Sequence, residues 1–320
     1  MSKLIEVRDL KKHFRVRGML GRPRVVHSVD GVSFDIERGE TFGLVGESGC
    51  GKTTLGRTVT RLYEPTSGQI LFEGTDIAPL KGRALSPYKR RMQTIFQDPY
   101  SSLNPYMNVE EIVGESLDLA EKLGRAERRE RIEEMLQRVG LDAETLEKYP
   151  HEFSGGQRQR IGIARALVTH PDFVLCDEPI SALDVSIQAQ VVNMLEDLQQ
   201  DMGLTYLFVA HDLSMVRHIS HRIAVMYAGH IVEISPAKEL YRHPAHPYTQ
   251  ALLSAIPIPN PQRARQTQRI RLQGDPPDPV AELPGCPFAS RCSRCTPRCT
   301  QERPAVEPVS GQHLAACFEK

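Results

Sequence analysis

Short apolar runs of strand length alternate along this chain with stretches of helical period. Thr41–Val45 is a continuous apolar strand, followed at once by a glycine-rich turn and a helix predicted from Lys52. Residues 4–10 and 29–36, Gln69–Phe72 and Met92–Phe96 read as further strands. Between about Tyr106 and Glu147 the period lengthens. There Ile132, Met135, Leu136 and Val139 fall at i, i+3, i+4 and i+7, one face of an amphipathic helix. Phe173–Cys176 is an unbroken apolar run of the kind a parallel strand covered on both faces shows. Ile187, Val191, Leu195 and Leu198 mark the next helix and Tyr206–Val209 the next strand. This alternation predicts an α/β fold with helices on both sheet faces, interrupted in the middle by a helical insert.

From Pro257 the texture changes. Prolines crowd at Pro257, Pro259 and Pro261, then at Pro276, Pro277 and Pro279, and cysteines follow. Such a tail is too poor in apolar residues to build a sizeable core alone. The expected division is a core over residues 1–256, its helical part at about 100–168, and a small module over 257–320. Arg15–Arg24, with Gly18, Gly21 and Pro23, reads as a solvated basic loop; the other reading is a contact with lipid headgroups or a membrane partner.

Composition narrows the function. Of 320 residues, 40% are hydrophobic and 25% charged, as in folded soluble proteins. Lys+Arg and Asp+Glu each number 40, so no global basic field is available to hold nucleic acid. No run approaches the roughly eighteen apolar residues of a membrane-spanning helix, and Met1–Phe14 lacks the apolar core of a signal peptide. Two of the seven cysteines, Cys50 and Cys176, stand far from the other five, which fall between Cys286 and Cys317. Without an export signal, that clustering suggests metal ligation before disulfides.

Three motifs carry chemistry. The run from Gly46 through Ser48, Gly49, Cys50 and Gly51 to Lys52 and Thr53, with Thr54 next, satisfies G-x-x-x-x-G-K-[ST] between a strand and a helix. Glycines let backbone N–H groups curl around phosphate oxygens, and the helix start adds its positive dipole end. Lys52 would reach the β- and γ-phosphates, and Thr53 would offer its hydroxyl to Mg²⁺. Second, the strand Phe173–Cys176 ends in Asp177 and Glu178. Asp177 can sit near Mg²⁺, and Glu178 can polarise an attacking water. Third, Phe153–Gln157 opens a helix running to about Val168, a second anion-binding helix end with a serine hydroxyl and the bare N–H groups of Gly155 and Gly156. Two such ends in one chain suggest an ATP held between two molecules.

With these residues in family order, the chain resembles the nucleotide-binding subunits of ABC transporters, over essentially its whole length. Gly46–Thr53 resembles the Walker A loop, Gln97 the Q-loop glutamine that senses Mg²⁺ and couples to the membrane subunit, and Ser154, Gly155, Gly156 and Gln157 the LSGGQ signature with Phe153 for its first Leu. Asp177 and Glu178 match Walker B and the catalytic base, Ser181–Asp184 the D-loop, and His211 the switch histidine on the γ-phosphate; Phe14 is the candidate for stacking adenine. The resemblance implies a P-loop NTPase core with a helical subdomain, an antiparallel β subdomain at the N-terminus and a small Cys-rich module. It also implies an ATPase with ATP and Mg²⁺ as ligands, Mg²⁺ being held by Thr53, Gln97 and Asp177.

Phe96–Pro105, Phe153–Arg160 and His246–Leu253 make the nearer resemblance one to the dipeptide and oligopeptide import branch, in particular F-type ATPase subunits of dipeptide permeases. Such chains pair with a homologous D-type ATPase and two transmembrane permeases at the cytoplasmic face of the inner membrane, served by an extracytoplasmic solute-binding protein. Related importers carry nickel, glutathione or oligosaccharides. The spacing Cys286-x5-Cys292-x6-Cys299-x17-Cys317 also matches this branch, where some members hold a [4Fe–4S] cluster. Thiolate ligands suit such a soft site, but Cys295 makes a Cys292-x-x-Cys295 pair that leaves zinc as the second reading, with reduced free thiols third. A DNA-repair ATPase of this class would need a long coiled coil where only about a hundred residues separate Lys52 from Ser154, and a translation factor would need two cassettes.

Overall fold

In the computed structural model, which describes residues 2–17, 23–257, 269–281 and 283–320, strand β1 covers Lys3–Arg17 and β2 Pro23–Glu37; β3 (Thr41–Val45) then leads into α1 (Lys52–Val59). Next come β4 (Ser67–Phe72), β5 (Thr75–Asp76), α2 (Ser86–Arg91) and β6 (Met92–Ile95). A helical run follows: α3 (Pro99–Ser102), α4 (Val109–Ala120), α5 (Arg125–Arg138) and α6 (Gly155–Leu167). Strand–helix alternation resumes with β7 (Phe173–Asp177), α7 (Val185–Met202), β8 (Thr205–Val209) and α8 (Leu213–Ile219). Beyond lie β9 (Arg222–Tyr227), β10 (His230–Pro236), α9 (Ala237–Arg242), α10 (Pro247–Ser254), α11 (Pro297–Gln301), β11 (Glu307–Ser310) and β12 (His313–Ala315).

These elements gather into two units, each drawn from separated stretches. One comprises the start up to Leu4, Ile36–Glu40 and Pro79–Val209. Its strands β6, β7 and β8 are parallel, with Met92 opposite Phe173 and Phe173 opposite Thr205. Every residue of β7 and β8 is buried, which is why both read as unbroken apolar runs. Helix α4 starts in a reciprocal cap between Asn108 and Glu111, and α5 buries Ile132, Met135 and Leu136 as its spacing predicts. Tyr206 is fully buried and donates its hydroxyl to the Leu195 carbonyl (3.1 Å), tying β8 to α7.

The other unit comprises Ile5–Asp35, Thr41–Ala78 and Ala210–Lys320. It holds the antiparallel sheet β2-β1-β4-β5 and a second run, β11-β12-β10-β9-β3, in which only the β3–β9 pairing is parallel. Strands β1 and β2 reach further into the basic segment than their apolar cores at 4–10 and 29–36 predict. Arg15–Arg17 are exposed strand, so burial leaves no alternation there to read. Residues 18–22 of that segment, with Gly18 and Gly21, lie outside the described residues.

The tail is sewn into this unit. Pairing of Glu233 with Ala315 and Ile234 with Leu314 lays β12 along β10. The buried Glu233 carboxylate takes His313 Nε2 at 2.7 Å, the N–H of Ala245 at 2.8 Å and the N–H of His246 at 2.9 Å. Phe288, from the tail, packs edge-on to Tyr227 (5.2 Å between ring centres) and against Tyr248 (5.4 Å). Among the described residues no helix is long and apolar enough to cross a membrane.

Two histidines make this unit acid-sensitive. Burial pushes His246 down to about 4, and burial aided by the Arg303 charge does the same to His230. An unfolded chain takes up these protons near pH 6.5 and the folded one only near pH 4. Stability is therefore whole above pH 6.5 and lost as pH falls towards 4, by about 3 kcal/mol per histidine. Urea denaturation followed across pH 7 to 4 should show that loss, and His246→Gln should remove part of it.

Candidate ATP-binding and catalytic site

The glycine loop is built by backbone crowding. Gly51 caps α1 in the left-handed region (φ 107°), and a Cβ there would stand 2.1 Å from the Ser28 carbonyl oxygen. At Gly46 (φ 156°) a Cβ would meet the Met226 carbonyl oxygen at 2.2 Å. Lys52 is buried and curls over the loop, donating to the carbonyls of Gly46 (2.9 Å) and Glu47 (3.0 Å). Its ammonium thus sits where the loop curves, ready to exchange carbonyl oxygens for phosphate oxygens. Cys50 is buried with its thiol 3.9 Å from Lys52 Nζ, a packing position whose pKa burial raises. Thr53 and Thr54 are half-buried at the start of α1. Phe14, half-buried on β1, meets Tyr63 edge-on (5.7 Å) and carries Lys12 Nζ over its ring at 4.6 Å.

A cavity of about 860 Å³ runs along Glu47–Cys50. Lys11, His13, His27, Asp30 and Arg303 line it, whereas Lys52, Thr53 and Phe14 do not. His13, His27 and Asp30 bring three ligand atoms within 4.8 Å of one another, but the Asp30 carboxylate already faces Arg303 (3.4 Å) and Lys11 (4.0 Å).

In the other unit, Asp177 is fully buried at the end of β7. Glu178 follows with φ 50°, a left-handed backbone rare outside glycine, held because its N–H donates to the Val209 carbonyl (3.0 Å) and its own carbonyl takes the Ser181 N–H (3.2 Å). This strained turn aims the carboxylate at Gln97, whose Nε2 donates to Glu178 Oε2 at 2.8 Å. Ser154 caps α6: its Oγ accepts from Gln157 N (3.3 Å), and Gln157 Oε1 accepts from Ser154 N (3.0 Å). Gly156 has no room for a Cβ, which would lie 2.8 Å from Ile187 Cγ2 on α7. Asp184 is the exposed residue that begins α7, and His211, in the unit that holds the glycine loop, is exposed just after β8.

Sequence reading missed two arginines on α6 that reach towards the segment after Gln97. Arg158 donates to the Pro150 carbonyl (2.6 Å) and lies 3.9 Å from the Tyr100 ring centre. Arg165 donates to the Ser102 carbonyl (2.5 Å) and lies 5.8 Å from the Phe96 ring. Their spacing of seven residues on one helix face was the available signal. Tyr248, which the sequence singled out only within the stretch His246–Leu253, accepts the Glu47 N–H on its hydroxyl at 2.9 Å.

Cys286, Cys292, Cys299 and Cys317 line one small pocket with His246, Phe288 and Phe318, and Cys295 is exposed outside it. Burial raises Cys286 to about 11 and pushes Cys292 and Cys317 upward too, so thiolates there call for a bound cation. Zinc–sulfur bonds of about 2.3 Å place sulfurs about 3.8 Å apart. Among the described residues no three thiols come within 4.8 Å of one another. Four sulfurs lining one pocket are a soft donor set, the kind that suits zinc or an iron–sulfur group.

Comparison with known proteins agrees with this geometry. Residues 29–181 match the family described as ABC transporter, and residues 232–299 match the oligopeptide/dipeptide transporter, C-terminal region. The chain belongs to the ABC transporter family of ATPases. It is 52% identical over 315 residues (98% of this chain, 94% of the other) to the putative oligopeptide transport ATP-binding protein YkfD of Bacillus subtilis. It is 58% identical over 279 residues (86% and 88%) to the oligopeptide transport ATP-binding protein OppF of the same organism. Among solved structures, the dimeric ATP-binding cassette MJ0796 bound to ADP and Pi superposes with a TM-score of 0.66 at 26% identity, covering 73% of this chain and 98% of that one. The ABC ATPase's C-terminal match takes in α10 and three of the four pocket cysteines.

Proposed function

We propose that this ABC ATPase drives import of dipeptides or oligopeptides through two membrane permeases, working as a pair with a homologous ATPase on the cytoplasmic face of the membrane. The names of its relatives at 50 to 58% identity support the cargo class, as does the C-terminal match. In this reading Gly46–Thr54 cradle the phosphates of ATP, Lys52 neutralises them and Phe14 stacks on adenine. Thr53, Gln97 and Asp177 hold Mg²⁺, which supplies charge neutralisation when bound. Glu178 takes the proton of the attacking water, and His211 contacts the γ-phosphate. Ser154, Gly155, Gly156, Gln157 and Asp184 act on the nucleotide of the companion ATPase, as the dimeric cassette of the structural relative suggests. A solute-binding protein outside the membrane delivers the peptide. Exposed Tyr100 and Tyr106, three and nine residues after Gln97 in sequence, are suited to permease contact.

The observation that carries the catalytic assignment is the Gln97–Glu178 hydrogen bond on a strained backbone, because strain kept in place by neighbouring hydrogen bonds marks a position held for chemistry. The test is ATP hydrolysis in vesicles holding this chain, the companion ATPase and the permeases. Turnover should depend on both ATPases and rise with peptide-loaded binding protein. Full-speed hydrolysis by isolated single copies would overturn the reading.

For the tail, the proposal is a [4Fe–4S] cluster on Cys286, Cys292, Cys299 and Cys317. Anaerobically purified protein should be brown, with about four irons and four sulfides per chain, and Cys295→Ser should leave that content intact. Colourless protein with one zinc per chain would sink it.

A further inference from the structure

Between Cys286 and Cys292 the tail makes a tight turn, in which Ala289 N–H bonds the Cys286 carbonyl (3.0 Å), Arg291 N–H the Phe288 carbonyl (3.0 Å) and Cys292 N–H the Ala289 carbonyl (3.3 Å). Arg291 is thus placed by a turn whose two ends are pocket cysteines. Its guanidinium, with the side chain 8% exposed, reaches back 244 residues in sequence to the phosphate loop. Nη1 meets Glu47 Oε2 at 2.8 Å and Nη2 meets Oε1 at 3.4 Å, a two-pronged pairing. Nη1 also donates to the Tyr227 hydroxyl (3.3 Å), while Nε is buried with no partner among the described residues. The two-pronged contact with Glu47, helped by Tyr227, is therefore what holds the head group.

Glu47 is a junction of the loop. Its N–H donates to the Tyr248 hydroxyl (2.9 Å), its carbonyl accepts from Lys52 Nζ (3.0 Å) and from the Cys50 N–H (3.3 Å), and its carboxylate is taken by Arg291. Tyr248 in turn packs on Phe288, in the same cysteine turn. Two separate contacts therefore lead from that turn to one loop residue, one by charge and one through aromatic packing. An exposed ion pair would do little here, but the arginine side chain is buried and the backbone of its half-exposed partner Glu47 is held at both its N–H and its carbonyl.

We propose that Arg291 is a positioning residue through which the cysteine turn sets the shape of the phosphate loop, so that affinity for ATP depends on an intact four-cysteine pocket. The inference rests on reading Gly46–Thr54 as the phosphate loop. Arg291 does not touch the reacting atoms in this scheme. Its loss should appear in nucleotide binding rather than in the chemical step.

The test uses the full chain and fluorescent ATP titration, with turnover measured in the assembled transporter. Arg291→Ala and Glu47→Gln should each weaken ATP binding about tenfold, and for Arg291→Ala kcat should change less than about threefold. The double variant should be no weaker than either single one, because both remove the same contact. Arg291→Lys should recover part of the affinity, since it restores charge without the fork. Cys286→Ser with Cys292→Ser should weaken binding in the wild-type background and add little to Arg291→Ala. Melting temperature and iron content, read on every variant, separate a lost fold or lost cluster from a reshaped loop. Lys52→Ala is the control on the underlying reading: if it binds ATP normally, the phosphate-loop assignment fails. If Lys52→Ala loses ATP while folded Arg291→Ala and Glu47→Gln bind it as tightly as wild type, or if their effects simply add, the coupling is refuted.

Discussion

Glu178→Gln should lower ATP turnover about a thousandfold while leaving nucleotide bound in a closed pair of ATPases. The substitution is close to isosteric. Its side-chain oxygen still accepts from Gln97 Nε2, and the backbone bonds that hold φ at 50° are untouched. What disappears is the ability to take a proton from water, and a positioned general base contributes roughly 10²–10⁴-fold. In the proposed reading binding is governed elsewhere, by the glycine loop and Lys52, so affinity should survive the change. Phosphate-release kinetics together with a sizing experiment in ATP decide the matter. Unimpaired release would strip Glu178 of its role, whereas slow release from an open, dissociating pair would point to lost geometry rather than a lost base.

The second large effect is expected at Gly51. An alanine there must adopt φ near 107° and press its methyl into the Ser28 carbonyl oxygen, built at 2.1 Å. Strain of that kind costs about 1–3 kcal/mol, and forcing backbone apart adds a similar amount. Gly51→Ala should therefore lose about 3–5 kcal/mol of stability and most of its ATP affinity. Gly49 offers the contrast within the same loop. It too has positive φ (78°), but a Cβ there meets nothing within 4 Å. Gly49→Ala should cost only about 1 kcal/mol. Thermal melts of the two variants, with and without ATP, should separate them clearly. Equal losses would show that conformational strain, and not the collision with Ser28, dominates the loop.

The motifs were readable from sequence because each is a local device. A glycine-rich loop between strand and helix, a capped helix start and a strand ending in carboxylates all place their groups within a few residues, and spacing alone reports them. Buried strands such as β7 and β8 were readable for a similar reason, since burial on both faces leaves a continuous apolar run. Less local features escaped. Arg291 and Glu47 are 244 residues apart, and neither residue type marks a partner by itself. Strands β11 and β12 escaped as well: Glu307–Ser310 are all exposed and include a proline, so no alternation betrays them. The reach of β1 and β2 into the basic segment was hidden by the same lack of burial. A single aromatic such as Phe14 carries no spacing to report its neighbours: in the fold it has Tyr63 at its edge and Lys12 over its ring.

Threading β12 against β10 has a consequence for biogenesis. The run β11-β12-β10-β9-β3 takes β3 from residues 41–45 and β12 from residues 313–315. A ribosome makes β10 well before it makes β12, so that border stays unpaired on the nascent polypeptide, with Glu233 waiting for His313. Translation must pass both cysteine-bearing and proline-rich stretches before that border closes. Throughout that delay the growing chain presents a bare β-edge, the kind of surface on which chaperones and neighbouring nascent chains compete.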